Sequence, residues 1–301
     1  MRVYHCDAFE VPLPPGHRFP MTKYRLLREA LLESALLGQE ELVAAEPVDR
    51  AELARVHTSR WLEAVLEGTL SEAEIRRLGF PWSRALVLRS LASVGGTCAA
   101  ARAALEDGFA GNLAGGTHHA FPDHGEGFCV FNDIAVSIRA LQAAGSIRRA
   151  VVVDLDVHQG NGTAAVFDGD PDVFVFDMHA EHNFPFRKQR STLDVALADG
   201  TGDRAYLDAL VRHLPRVLDA ARPDLVYYQA GVDPLGGDTL GRLALTEAGL
   251  EARDRFVLET ARLGGIPLAV TVGGGYARPL SRTIAAHLGT YRAARAVHPG
   301  R

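Results

Sequence analysis

Hydrophobic residues in the first third of the chain recur three and four positions apart, the spacing of one buried helix face. This spacing predicts helices at residues 22–37, 50–56, 60–67, 72–78 and 81–106. A short strand at residues 3–6 and a proline-rich loop at residues 10–20 are predicted before them. Gly95 and Gly96 fall inside the longest helix, where each glycine costs about 1 kcal/mol relative to alanine. We therefore expect close packing, a kink or an interruption at that point.

From residue 112 onward, short apolar runs alternate with amphipathic stretches. The apolar runs predict strands at residues 112–114, 150–155, 173–178, 225–229 and 268–272. The other stretches predict helices at residues 133–144, 163–167, 203–221, 247–262 and 281–295. Strands that alternate with helices favour a mainly parallel sheet covered by helices on both faces. The expected fold class is therefore α/β, with residues 1–301 forming a single domain.

The strand predicted before residue 155 leads into three side chains that are common metal ligands. A run of valines is followed by Asp154, Asp156 and His158. Alternate residues of an extended chain face the same side, so these side chains are expected to project together. Two acids and an imidazole at the end of a buried strand need a positive charge between them, and a divalent metal ion supplies it. The alternative is that the acids cap loops or bind arginines.

Composition and charge restrict the class of protein. The chain has 301 residues, 47% hydrophobic and 23% charged, which is typical of globular proteins. The formal net charge of −5 argues against a nucleic-acid partner. The chain begins without the apolar run of a signal peptide and has no apolar stretch of transmembrane length, so no membrane partner is expected. Three scattered cysteines are typical of reduced thiols, and we expect a cytoplasmic protein.

Four further polar segments accompany the predicted strands. They are Gly-Gly-Thr-His-His-Ala at 115–120, Gly-Phe-Cys-Val-Phe-Asn-Asp at 127–133, Ala-Gly-Val-Asp-Pro at 230–234 and Gly-Gly-Gly-Tyr at 273–276. Together with residues 154–161, they resemble the zinc-dependent histone deacetylase family, which has an arginase/deacetylase-like fold. The resemblance begins at His-Arg-Phe-Pro-Met, residues 17–21, and covers most of the chain. This string and Asn-Phe-Pro-Phe at residues 183–186 are similar to the bacterial, class IV-like branch.

The resemblance implies that Asp156, His158 and Asp233 bind a catalytic Zn²⁺ ion. Three protein ligands leave one coordination position for water or substrate, as catalytic zinc sites require. Two carboxylates and one imidazole also suit Fe²⁺, which is the alternative ion. Considered without the other motifs, Asp233 is also an ordinary turn residue before Pro234.

The same resemblance implies that His118 and His119 form a catalytic pair, one ring polarised by Asp154 and the other by Asn161. A carboxylate partner raises the pKa of an imidazole, whereas an amide orients the ring without adding charge. Which histidine is the base and which the acid stays open. Considered locally, Asn161 or Thr163 is also suited to cap the next helix.

Two further features of the site are implied. The Tyr276 hydroxyl would donate a hydrogen bond to the amide oxygen as negative charge develops there, although a core tyrosine after a flexible turn is the alternative. A narrow acyl-lysine channel would be formed by Gly127, Phe128, Phe184 and Leu240. Phenylalanine is by default a core residue, so the aromatic walls have an alternative explanation as well.

A structural K⁺ or Na⁺ ion is implied beside Asp154, Asp177 and Met178. Asp177 stands where other members of the family carry serine. The additional carboxylate makes this position more negative, which favours tighter binding of K⁺ or binding of a different ion.

The resemblance implies a metal-dependent deacetylase that hydrolyses linear amide bonds and removes acetyl or longer acyl groups from lysine side chains. Its expected partners are acetylated lysine in proteins or a small acetylated amine. Deacetylation of acetylpolyamines is the alternative, although Leu240 in place of a glutamate at the channel rim disfavours a cationic polyamine. An arginase-type ureohydrolase would need further aspartate ligands for two Mn²⁺ ions. A binding module without enzymatic activity would have no use for Tyr276.

Overall fold

An eight-stranded sheet forms the centre of the computed structural model, which describes residues 1–299. Residues 300 and 301 of the predicted domain lie outside this description. The strands are β1 (Arg2–His5), β2 (Leu42–Ala44), β3 (Phe109–Asn112), β4 (Ala150–Asp154), β5 (Val173–Ala180), β6 (Leu193–Leu197), β7 (Leu225–Gln229) and β8 (Leu268–Thr271). Their order is β2-β1-β3-β8-β7-β4-β5-β6, and all neighbouring strands are parallel. The predicted α/β fold class is confirmed.

Helices connect the strands and cover both faces of the sheet. They are α1 (Lys23–Glu33), α2 (Arg50–Leu53), α3 (Ser59–Glu67), α4 (Glu72–Leu78), α5 (Arg84–Asp107), α6 (Asp133–Ala143), α7 (Asn161–Val166), α8 (Asp203–Ala221), α9 (Glu247–Leu263) and α10 (Leu280–Val297). Successive residues of β4 belong to different hydrophobic clusters: Val152 packs with Ile134 and Ile138 of α6, whereas Val151 and Val153 pack on the α8 and α9 side. Because side chains alternate along a strand, this valine run is buried on both faces.

The carboxyl ends of the strands bring the polar segments together. Asp154 at the end of β4 lies in register with Asp177 of β5 on one side and with Gln229 of β7 on the other. The residues after β7 and β8 therefore meet the loop after β4 at one edge of the sheet. Open parallel sheets place their ligands at this edge.

Helix α5 is continuous through its two glycines, so the expected interruption is wrong and the expected close packing is correct. A Cβ atom at Gly95 would collide with the carbonyl oxygen of Glu46. A Cβ atom at Gly96 would lie 2.9 Å from Oδ1 of Asn112. The glycines allow the helix to lie directly against β3 and against the segment that follows β2, and this contact offsets their low helix propensity.

Several element boundaries differ from the predictions. Helix α1 ends at Glu33 because Ala35 adopts a left-handed conformation with a φ of 53°. Glycine usually occupies such a position at the end of a helix, so the alanine gave no indication of it in the sequence. Strand β3 starts at Phe109, directly after the left-handed Gly108 that ends α5, rather than at residue 112. Strands β2 and β6 were not predicted. Each is a sheet edge that pairs on one side only, so its sequence carries a weak apolar pattern.

Candidate active site

Asp156, His158 and Asp233 converge at the carboxyl edge of the sheet. Nδ1 of His158 lies 3.0 Å from Oδ1 of Asp156 and 3.1 Å from Oδ2 of Asp233. One ligand-type atom from each residue lies within 4.8 Å of the others, so the cluster could hold a metal ion. Asp156 and His158 belong to the loop after β4, and Asp233 belongs to the loop after β7.

Backbone amides orient both carboxylates. The N–H groups of His158 and Gly274 donate to Asp156 at 3.0 and 2.9 Å, and the N–H of Val157 donates to Oδ1 of Asp233 at 2.9 Å. Oδ2 of Asp233 is buried and accepts no hydrogen bond from residues 1–299. A buried, unsatisfied carboxylate oxygen that faces an imidazole nitrogen and a second carboxylate is the arrangement a divalent cation satisfies, so these residues fit a metal.

The electrostatics of the cluster give the same indication. Burial, reinforced by the neighbouring Asp156, raises the pKa of Asp233 to about 6. Burial alone would lower the pKa of His158, but its contacts with Asp156 and Asp233 prevail and raise it to about 10. Two buried acids that favour a positive charge between them are suited to a cation.

His118 and His119 lie side by side with ring centroids 4.1 Å apart. Nδ1 of His118 lies 2.7 Å from Oδ2 of Asp154, and Nδ1 of His119 lies 2.7 Å from Oδ1 of Asn161. Each ring therefore has one nitrogen held by its partner. The structure pairs the carboxylate with His118 and the amide with His119, an assignment that the sequence left open.

The pKa values of the two histidines, which have different partners, are shifted in opposite directions. Burial would lower the pKa of His118, but Asp154 and Asp156 outweigh it and raise the pKa to about 9. Burial and the positive charges of His118 and His158 hold the pKa of His119 well below its usual value. The pair is therefore polarised, with the positive charge favoured on His118.

Glu126 is part of this arrangement and was missed by the sequence analysis. Its Oε1 accepts a hydrogen bond of 2.5 Å from Nδ2 of Asn161, which extends the chain of contacts from His119 through Asn161 to a carboxylate. The only signal in the sequence was its position one residue before Gly127. The expectation that Asn161 or Thr163 caps α7 is wrong: Gly160 occupies the N-cap, and the Asn161 amide is engaged by His119 and Glu126.

Tyr276, in the loop after β8, is held by its backbone. Its N–H donates to Oδ2 of Asp238 at 2.6 Å, and the Thr239 hydroxyl donates to its carbonyl oxygen at 2.7 Å. Burial and the nearby carboxylates of Asp233 and Asp156 raise the pKa of Tyr276 well above its usual value. The hydroxyl is therefore a proton-bearing hydrogen-bond donor.

A cavity of about 740 Å³ opens over these groups. Its lining includes His118, His119, Asp156, His158, Tyr276 and the four predicted channel residues, Gly127, Phe128, Phe184 and Leu240. The Phe184 ring meets the His119 ring edge-on at a centroid distance of 4.9 Å. Gly127 has a φ of 56°, and a Cβ atom there would lie 2.6 Å from Cδ2 of His119. This wall can approach the histidine only because residue 127 is glycine.

The position predicted for a monovalent ion lies under the site. Asp154 and Asp177 are buried neighbours on β4 and β5, and Met178 follows within β5. The Asp177 carboxylate lies 2.7 Å from Nδ1 of His179 and accepts a 2.8 Å hydrogen bond from the N–H of Gly160. A K⁺ or Na⁺ ion at this position stays a prediction.

Comparison with known proteins identifies the family. The sequence profile of the histone deacetylase domain matches residues 17–291. The chain belongs to the histone deacetylase family. Histone deacetylase 2 of Arabidopsis thaliana is 32% identical, over 89% of this chain and 72% of its own. The histone deacetylase-like amidohydrolase of Pseudomonas aeruginosa is 33% identical, over 88% and 74%. An uncharacterized protein of Picosynechococcus is 49% identical, over 98% of both chains.

Solved structures support the same fold. The HDA15 HD domain superposes with a TM-score of 0.81 at 23% identity, over 99% of this chain and 88% of the other. An HDAC homolog complexed with SAHA superposes with a TM-score of 0.80 at 24% identity, over 99% and 84%. As a histone deacetylase family member, the chain is a hydrolase that acts on amide bonds. Within residues 1–299, every helix is too short or too polar to cross a membrane.

Proposed function

We propose that the protein is a zinc-dependent deacylase that removes acetyl or longer acyl groups from lysine side chains. The observation that carries this proposal is that one cavity is lined by two adjacent histidines, a tyrosine and two of the proposed metal ligands, Asp156 and His158, with the third, Asp233, buried against His158. These groups come from the loops after β3, β4, β7 and β8. A binding protein without enzymatic activity would have no need for this combination.

The proposed ligands of Zn²⁺ are Asp156, His158 and Asp233, and Fe²⁺ remains the alternative ion. A divalent ion bound there would polarise the amide carbonyl and lower the pKa of a water molecule. Asp156 and Asp233 supply hard oxygen ligands, and the backbone amides of Val157, His158 and Gly274 keep them oriented.

The histidine pair moves protons. His119, whose partner is the neutral amide of Asn161, accepts a proton from the attacking water. His118, whose partner is the Asp154 carboxylate, is the better location for a positive charge and donates a proton to the departing amine. The Tyr276 hydroxyl donates a hydrogen bond to the amide oxygen as that oxygen becomes negative.

The cavity favours a lysine substrate over a polyamine. Phe128 and Phe184 line it with aromatic surface suited to an aliphatic stem. Leu240 at its rim offers no negative charge for the second amine of a polyamine. Deacetylation of acetylpolyamines or of another small amide is therefore the second candidate.

The test is release of free amine from an acetyl-lysine peptide by the zinc-loaded protein. Tyr276→Phe and His119→Ala should each lower kcat by at least about a hundredfold, because each removes a group that acts on the reacting amide or water. Tyr4→Phe, on β1 outside the cavity, is the matched control and should leave kcat unchanged. A metal-loaded protein that is inert towards acetyl-lysine, long-chain acyl-lysine and acetylpolyamine substrates would contradict the hydrolase assignment.

A further inference from the structure

Arginines surround the opening of the cavity. Arg18, Arg76, Arg77 and Arg242 line the cavity itself, and Arg278 lines an adjoining groove of about 440 Å³ that shares Arg18, Leu240 and Tyr276 with it. All five arginines are exposed. We refer to these five residues as the mouth. Because the whole chain has a net charge of −5, the positive charge of the mouth is a local feature.

Most of this charge is available to a ligand. Within residues 1–299, Arg18, Arg77 and Arg278 have no carboxylate within 4.0 Å. Arg242 lies 3.1 Å from Asp199, and Arg76 lies 3.3 Å from Glu72, but both pairs are exposed to solvent and therefore weak.

Contacts between two segments fix the backbone that presents three of the five arginines. Nδ1 of His17 accepts a 3.1 Å hydrogen bond from the N–H of Phe19, so Nε2 carries the proton and donates to the carbonyl oxygen of Gly79 at 2.9 Å. This contact ties the loop that carries Arg18 to the end of α4, which carries Arg76 and Arg77. The rings of Phe19 and Phe80 strengthen the connection through an edge-on contact at 4.9 Å.

The charge of the residues that line the cavity therefore changes from positive at the mouth to negative at the floor. The carboxylates of the cavity lining belong to Asp156, within the metal cluster, and to Glu126, which is engaged by Asn161. An acyl group with its own carboxylate would meet these acids at the floor of the cavity. A carboxylate near the peptide backbone of the substrate would instead meet the arginines of the mouth.

We propose that the mouth selects acetyl-lysine located in an acidic segment of a protein, with aspartate or glutamate beside the modified lysine. This inference rests on the proposed deacylase function and adds the substrate class to it. The arginines attract the acidic segment over about a Debye length and pair with its carboxylates once it is bound. The same charges disfavour lysine-rich and arginine-rich segments and cationic polyamines.

The experiment compares three acetyl-lysine peptides of equal length, with acidic, neutral and basic residues beside the modified lysine. At about 50 mM salt, kcat/KM should be roughly tenfold higher for the acidic than for the neutral peptide and lowest for the basic one. The difference should reside mainly in KM, because the mouth does not touch the reacting amide. It should shrink at about 500 mM salt, where exposed charges are screened.

The double variant Arg18→Gln/Arg77→Gln should bring the ratio of acidic to neutral kcat/KM close to one. The matched control is Arg148→Gln, because Arg148 is 81% exposed and lies just before β4, at the opposite edge of the sheet. It should leave the ratio unchanged. Equal rates on all three peptides, or fastest cleavage of the basic one, would overturn the inference while the deacylase function stands. Cleavage of none of the peptides by the zinc-loaded protein would instead contradict acetyl-lysine as the substrate, and with it this inference.

Discussion

Glu126 is connected to the proposed catalytic histidine pair through one other side chain, Asn161. It holds Nδ2 of Asn161 at 2.5 Å, and Asn161 holds His119. With Nδ2 engaged, the amide presents its oxygen to the ring and fixes the hydrogen on Nδ1 of His119. Nε2 of His119 is thereby left as the proton acceptor.

Glu126→Ala should lower kcat about tenfold with little change in KM, because the His119 ring loses its fixed orientation while the aromatic walls, Phe128 and Phe184, remain. Glu126→Gln retains an acceptor for Asn161 and should recover most of kcat. Steady-state kinetics on one acetyl-lysine peptide distinguishes the two. Equal losses in both variants would show that the charge of Glu126, rather than its acceptor atom, is what matters.

Gly274 is a second single residue on which metal binding is expected to depend. Its N–H donates to Asp156, and a Cβ atom there would collide with Oδ2 of Asp233. Gly274→Ala should therefore reduce the zinc retained after gel filtration to a small fraction of one equivalent, measured by elemental analysis. Gly289→Ala is the matched control, since position 289 lies inside α10 with only ordinary contacts and alanine favours a helix. Full zinc content in Gly274→Ala would contradict the proposed ligand set.

At the scale of elements, His57 connects the segment between α2 and α3 to the start of α6. Its Nδ1 donates to the carbonyl oxygen of Phe121 at 3.1 Å, and its Nε2 accepts the N–H of Asn132 at 3.0 Å. Asn132 in turn caps α6 by accepting the N–H of Ala135. The imidazole must be neutral, because a protonated Nε2 could not accept the amide hydrogen.

This connection makes stability depend on pH. Burial lowers the pKa of His57 from 6.5 to about 4, so below pH 6.5 the unfolded chain binds a proton that the folded chain does not. The stabilisation is complete above pH 6.5 and is lost as the pH falls towards 4. Between about pH 7.5 and about pH 5, His57 should account for about 2 kcal/mol of the fall in unfolding free energy.

Urea unfolding at these two pH values, for the wild type and for His57→Gln, measures this contribution. The glutamine keeps a donor and an acceptor but does not titrate, so the variant should lose less stability on acidification. The subtraction removes the contributions of the other buried histidines, which both proteins share. Identical pH dependence in the two proteins would exclude His57 as a source of acid sensitivity.

At the scale of the whole molecule, the proposed metal ligands come from parts of the sheet that are far apart along the chain. Asp156 follows β4, Asp233 follows β7, and Gly274 follows β8. Removing the ion would leave two buried carboxylates without a cation. Chelation should therefore lower the melting temperature by several degrees as well as abolish activity, and excess Zn²⁺ should restore both. In the Asp233→Asn variant, the chelator should change the melting temperature much less than in the wild type. A wild-type melting temperature that does not change when chelator is added would contradict a buried metal ion.

The sequence by itself determined the main strands, most of the helices and two candidate metal ligands, Asp156 and His158, whereas Asp233 entered the proposed ligand set only through the family resemblance. The valines before Asp154 and the ligand-type residues after them are local patterns, because burial on both sheet faces and the end of a strand each leave a mark within a few positions. The polar loops could be assigned to one edge because parallel strands share a direction. The family resemblance then related His118, His119 and Tyr276 to this cluster.

Only the tertiary structure decided which distant residues meet. The contact of Glu126 with Asn161 spans 35 positions, and the mouth collects arginines from residue 18 to residue 278. Helix α1 ends at the left-handed Ala35 although no glycine marks this position. Strands β2 and β6 form because each pairs with a neighbouring strand, whereas their own sequence pattern does not predict a strand. Local sequence records propensity and burial, whereas contacts between distant segments depend on the path of the folded chain.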